Sequence, residues 1–149
     1  MILSLSQVST DTTATTGVPW TILTGSTPGR ARIMEVGLFC ASAGTAPNTF
    51  GLGRPAANGV TPTTPVDFLP EDPNDVLATG VLQGALAWGT KPTSPTNFFR
   101  RIGLPATIGT GVIWTFPKGL VIAVSSNLVL YNCTGSLIAT ANCYAVADL

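Results

Sequence analysis

Two apolar runs, "GLVIAV" (119–124) and "NLVLYN" (127–132), lie side by side in the chain, joined through Ser125, Ser126 and Asn127. Each run is of strand length and rich in β-branched and aliphatic residues. The short polar residues between them suit a turn, because their side chains bond the local backbone and Asn tolerates a left-handed conformation. Alternation along the first run points Leu120, Ile122 and Val124 one way and Val121 and Ala123 the other. Both faces are therefore apolar, and each needs a cover. The stretch "MILSLSQVSTDTT" shows the other strand pattern, apolar residues alternating with Ser.

The same reading predicts further strands at "VPWTIL", "RARIMEVGLFC", "NTFGLG", "GVLQGALAW", "NFFRRIGL", "GVIWTF" and "LIATANCYAVAD". Turn-rich segments separate them, and no convincing helical period appears. Roughly eight to ten short strands with frequent breakers, 16 Gly and 12 Pro in all, read as an all-β sandwich or barrel. One segment differs in kind. Residues 55–73, "PAANGVTPTTPVDFLPEDP", hold five prolines, which forbid a central strand or a regular helix. The expectation there is a long Pro-rich excursion, running to about residue 79, with extended pieces and one short helical turn near "EDPNDV". Excursions of that length tend to make contacts or carry function. With no internal repeat and no second boundary, residues 1–149 are expected to form one domain.

Composition sharpens the question of cover. Only 9% of residues are charged, against about 25% in an ordinary soluble domain. Seven cationic residues balance seven acidic ones, and the mean hydropathy is +0.41. A lone subunit with that surface has little protection against association. Burial of part of the surface against copies of itself or a larger assembly is the expectation. No run approaches the roughly 18 apolar residues of a spanning helix, so no membrane contact is expected. The N-terminal stretch lacks the basic region of a signal peptide.

The absence of histidine removes the usual general base and the commonest metal ligand together. Cys40, Cys133 and Cys143 are too sparse for a structural zinc site. If the last two strands formed a hairpin centred near Gly135, Cys143 would face Asn127, six residues from Cys133. That offset of roughly 20 Å exceeds the reach of a disulfide, so free thiols are expected. "GLGRPA" (51–56) has the glycines of a dinucleotide fingerprint but a proline where the helix should open, so Gly51 and Gly53 are read as relieving a strand end or bulge. "EDPND" (71–75) lacks the spacing of a calcium loop and reads as a solvated turn. No catalytic residue, cofactor, metal or small-molecule substrate is expected.

The one basic–aromatic cluster is "FFRR", Phe98, Phe99, Arg100 and Arg101. Strand alternation would put Phe98 with Arg100 on one face and Phe99 with Arg101 on the other. Nucleic acid would demand more cations along a groove, and the net charge is zero. Arg beside aromatics is instead the composition of protein–protein contact centres. These four residues, with Pro62, Pro65 and Phe68 of the excursion, are the expected subunit or capsid interface.

The pieces "GLGRPAA", "ALAWGT", "FFRR", "LPATIG", "WTFP.GLVI" and "LVLYN", spread over residues 30–146, give the chain a pattern that resembles small decoration or cement proteins of tailed bacteriophages and prophages. The resemblance implies a jelly-roll β-sandwich, a homotrimer, and the major capsid protein as partner. It also implies localisation on the outer capsid surface of the virion, reached through the host cytoplasm. It implies no catalytic residue. Jelly rolls also serve as tail or fibre knobs that bind host-surface glycans, which is the alternative reading.

Overall fold

The computed structural model describes residues 1–9, 20–25, 30–44, 46–133 and 140–149. They form thirteen strands: β1 (Ile2–Ser9), β2 (Trp20–Thr24), β3 (Ala31–Cys40), β4 (Asn48–Gly53), β5 (Val60–Thr63), β6 (Val66–Asp67), β7 (Leu69–Pro70), β8 (Leu82–Ala85), β9 (Ala87–Thr90), β10 (Arg100–Leu104), β11 (Gly111–Ile122), β12 (Asn127–Asn132) and β13 (Ala141–Asp148). No helix occurs among the described residues. The helical turn expected near "EDPNDV" is a tight turn, closed by the Asp75 amide donating to the Asp72 carbonyl at 3.1 Å. Thirteen strands exceed the eight to ten expected because the excursion contributes very short ones.

A five-stranded sheet of order β11-β3-β13-β1-β7 packs on a six-stranded sheet of order β10-β4-β12-β2-β8-β6, with β5 and β9 as a separate ribbon. Eight of the strands pair two by two, β1 with β13, β2 with β12, β3 with β11 and β4 with β10, all antiparallel. Strands 1 to 4 thus run as one long ribbon against strands 13 to 10. Rolling that ribbon creates the further pairings of β3 with β13 and β4 with β12. This is the jelly-roll topology, and the fold is a jelly-roll β-sandwich.

Alternation along the strands supplies the core. Leu3 and Leu5 of β1, Ile33, Val36 and Leu38 of β3, and Cys143 and Ala145 of β13 face Trp20, Ile22, Phe50, Leu52, Leu128 and Leu130 from the other sheet. The inward side of β13 is small throughout (Ala141, Cys143, Ala145, Ala147), which leaves room for the large rings opposite. The buried indole of Trp20 stacks on Phe68 at 6.5 Å between ring centroids and donates to Gln7 Oε1 at 2.7 Å. Among the described residues no buried side-chain polar atom lacks a partner.

"GVIWTF" and "GLVIAV" are one strand, not two. β11 pairs with β3 on either side of a bulge between Thr115 and Leu120, where Pro117 sits and Gly119 takes φ +68°. Pro is tolerated there because β11 is an edge strand and the bulge frees its nitrogen from the ladder. The other strand prolines, Pro62 of β5 and Pro70 of β7, also lie in a two-stranded ribbon or on a sheet margin. The turn after β11 uses Ser125, at φ +56°, as its left-handed residue, while Asn127 already belongs to β12.

The excursion leaves β4 at one side of the sandwich and caps the other. β7 extends the five-stranded sheet beyond β1, and β6 and β8 extend the other sheet beyond β2. It thereby covers two edges that would otherwise be open templates for pairing.

Candidate interaction surfaces

The outward face of "NLVLYN" is covered by the chain itself. Val129 and Tyr131 are buried under Phe98, whose ring meets Tyr131 edge-on at 6.2 Å, and Tyr131 Oη donates to the Pro92 carbonyl at 2.9 Å. Burial pushes the Tyr131 hydroxyl pKa above its ordinary value. Gly51 and Gly53 make this possible. A Cβ on Gly51 would come within 2.5 Å of the Phe98 ring, and one on Gly53 within 2.9 Å of Pro95. Close approach of this loop, rather than a strand end or nucleotide, explains "GLG". Further along the same face Trp88 Nε1 donates to Thr21 Oγ1 at 3.3 Å.

The "FFRR" residues gather where β10 meets the bulge of β11, with a pairing that alternation does not anticipate. Phe98 and Phe99 precede the strand, which begins only at Arg100, so period-two geometry does not apply to them. Arg101 lies over Phe98 at 5.4 Å on the outside of the sheet, and Arg100 over Phe116 at 5.1 Å. Arg54 covers Phe99 at 5.1 Å and donates to the Val121 carbonyl at 2.8 Å. Each cation therefore has an aromatic partner within the chain, while Arg100 and Arg101 remain exposed. Arg100, Phe116, Pro117, Lys118, Gly119 and Leu120 line a shallow, largely apolar depression of about 370 Å³.

The excursion residues do not join that cluster. Phe68 is 1% exposed, inside the core against Trp20, and offers nothing to a partner; its place in the expected interface is corrected. Pro62 and Pro65 are half-buried, with Pro62 opposite Trp88 in the β5–β9 ribbon. "EDPND" is a solvated turn in which Asp72 Oδ1 accepts from the Asn74 amide at 2.9 Å. Among the described residues no three His, Cys, Asp or Glu side chains are grouped as a metal site. Cys40, Cys133 and Cys143 are free thiols, and β12 and β13 lie in different sheets rather than in a hairpin. Residues 134–139, with the turn expected near Gly135, lie outside the described residues.

Sequence reasoning missed the broadest surface, the outer face of the five-stranded sheet. Ile2, Ser4, Ser6 and Val8 of β1 stand beside Asp148, Val146, Tyr144 and Asn142 of β13. Tyr144 and Asn142 neighbour Gly37 and Phe39 of β3, and Gly37 neighbours Ile113 of β11. Ile2, Val8 and Ile113 are 43%, 51% and 51% exposed. Asp148 and Arg32 stand side by side at one end of this face, and within it lies Glu35, whose carboxylate accepts from Tyr144 Oη at 2.7 Å. Burial, that hydrogen bond and the nearby negative charge push the Tyr144 pKa up to about 12. The Tyr144 ring lies flat over Gly37, where a Cβ would overlap it. The signal was present in "ILSLSQV" and "ANCYAVAD", where small or apolar inward residues alternate with outward ones of which only Asp148 is charged.

Comparisons of the chain with family models, with curated proteins and with solved structures each found no match.

Proposed function

We propose that the protein is a structural virion component that binds the outside of a tailed-phage head and stabilises it. It acts through protein–protein contacts, as an oligomer, and not through catalysis. The observation that carries this reading is the outer face of β1, β13, β3 and β11. It is four strands wide and holds exposed Ile2, Val8 and Ile113 among Ser, Thr and Asn; its charges are Glu35, bonded to Tyr144, and, at one end, Asp148 beside Arg32 and the N-terminal amine. An exposed apolar face of this kind marks a contact surface. Away from that end it carries a single carboxylate, which fits the dehydrated centre of a protein interface better than a glycan site, which needs polar groups converging from loops. The jelly-roll topology and the resemblance in "FFRR", "WTFP.GLVI" and "LVLYN" support the same reading. Multiple copies on a lattice would make modest individual contacts strong through avidity.

Rebinding to phage heads stripped of the protein tests this. The wild type is expected to bind heads and to protect them from DNA loss under osmotic shock. Val8→Glu with Ile113→Glu, both at exposed positions, is expected to abolish binding without unfolding the protein. Binding to host cells in place of heads would replace the proposal with the receptor-binding alternative.

A further inference from the structure

We infer that the cation-rimmed depression at the β11 bulge receives the Glu71–Val76 turn of a second copy of this chain. The inference rests on the self-association in the preceding proposal and identifies its contact surfaces. The depression has an apolar floor, Phe116, Pro117 and Leu120, and a rim of Arg100 and Lys118. Arg32 stands beside it, donating to the Lys118 carbonyl at 3.2 Å. Among the described residues no carboxylate is paired with any of these three cations.

The proposed occupant has the complementary character. Val76 is 86% exposed, the most exposed of the large apolar side chains among the described residues. Leu77, packed against the core, and the Asp72–Asn74 and Asp72–Asp75 hydrogen bonds hold the turn that displays it. Glu71, Asp72 and Asp75 flank Val76, and none is paired with a cation among the described residues. An apolar knob ringed by acids thus matches an apolar depression ringed by bases. Charge complementarity of this kind fixes register and suppresses wrong partners.

A chain cannot fill its own depression. The turn follows β7 and is tied to β1 by the Glu71 amide donating to the Ile2 carbonyl at 2.9 Å. β7 and β11 are opposite ends of the five-stranded sheet, four inter-strand spacings or roughly 19 Å apart. The contact is therefore head-to-tail. Such contacts close into a ring when the rotation permits, as in the expected trimer, and otherwise continue as an open chain.

Sedimentation equilibrium of the purified full chain at low and high salt tests the inference. The wild type is expected to associate at low salt and to weaken as salt rises. Arg100→Glu with Lys118→Glu, or Glu71→Lys with Asp75→Lys, should each raise the dissociation constant by roughly a hundredfold. Combining all four substitutions in one chain should restore association, which a merely misfolded variant could not do. Val76→Ser, at a position too exposed to affect folding, should weaken association tenfold or more. A monomeric wild type at low salt, or association that neither charge reversal alters, overturns the inference. Head binding by a monomer would overturn this contact and leave the virion role standing. Association as drawn without head binding would do the reverse.

Discussion

Tyr144 shows how one residue ties the exposed sheet face together. Its ring needs the missing side chain of Gly37, and its hydroxyl needs Glu35. Its pKa is raised from the ordinary 10.0 to about 12, so the neutral phenol is the form that the fold favours. Its contribution to stability is complete below pH 10 and is lost as pH rises through 12. Urea unfolding across that range should show stability falling with pH, and Tyr144→Phe should make the fall shallower. The thiols divide by burial in the same way. Burial pushes Cys143 up to about 12, and Cys40 is 5% exposed. Cys133 is half-buried, its pKa raised by burial against the opposing charge and hydrogen bond of Arg101. Because the thiolate is the reactive form, native alkylation should modify Cys133 first and spare Cys143 until unfolding. Mass spectrometry of the labelled peptides would show the order, and rapid native labelling of Cys143 would contradict it.

At the level of elements, β4 and β12 explain most of what the sequence left open. The residue pattern identified both strands, and for β12 an apolar run with no polar face. It could not tell cover by the same chain from cover by another, because that choice depends on where residues 88–98 return in space. Phe98 over Val129 and Tyr131 is such a return, and the glycines of "GLG" were its trace in the sequence. Gly51→Ala should therefore displace the Phe98 ring and destabilise the protein by about 1–3 kcal/mol, measured by urea unfolding. Phe50→Ala, in the same strand but facing the core, should cost about 3–5 kcal/mol by leaving a cavity. The bulge of β11 was less legible. Pro117 and Gly119 look like a break between two strands, and only the edge position lets one strand absorb them. "FFRR" was legible as a cluster and not as a pairing, since its aromatics lie just outside the strand whose period was applied to them.

Across the whole molecule, the two sides of the sandwich differ in charge although the total is zero. Arg32, Arg54, Arg100, Arg101 and Lys118 surround the β10–β11 side, while Asp67, Glu71, Asp72 and Asp75 belong to the excursion on the far side. A balanced composition hides this separation completely, because it arises only when the excursion crosses from β4 to the edges beyond β1 and β2. The excursion was recognisable as extended and Pro-rich, but its role as an edge cover was not. One face with few charges and two oppositely charged sides are what the proposed lattice role and lateral self-contact require. Cryo-EM of tailed-phage particles assembled in the presence of this protein tests that proposal most directly. The account predicts repeated copies of the jelly roll on the outer surface of the head, with the β1-β13-β3-β11 face against the capsid protein. Density for the jelly roll confined to the tail tip or fibres, with bare head capsomers, would contradict it.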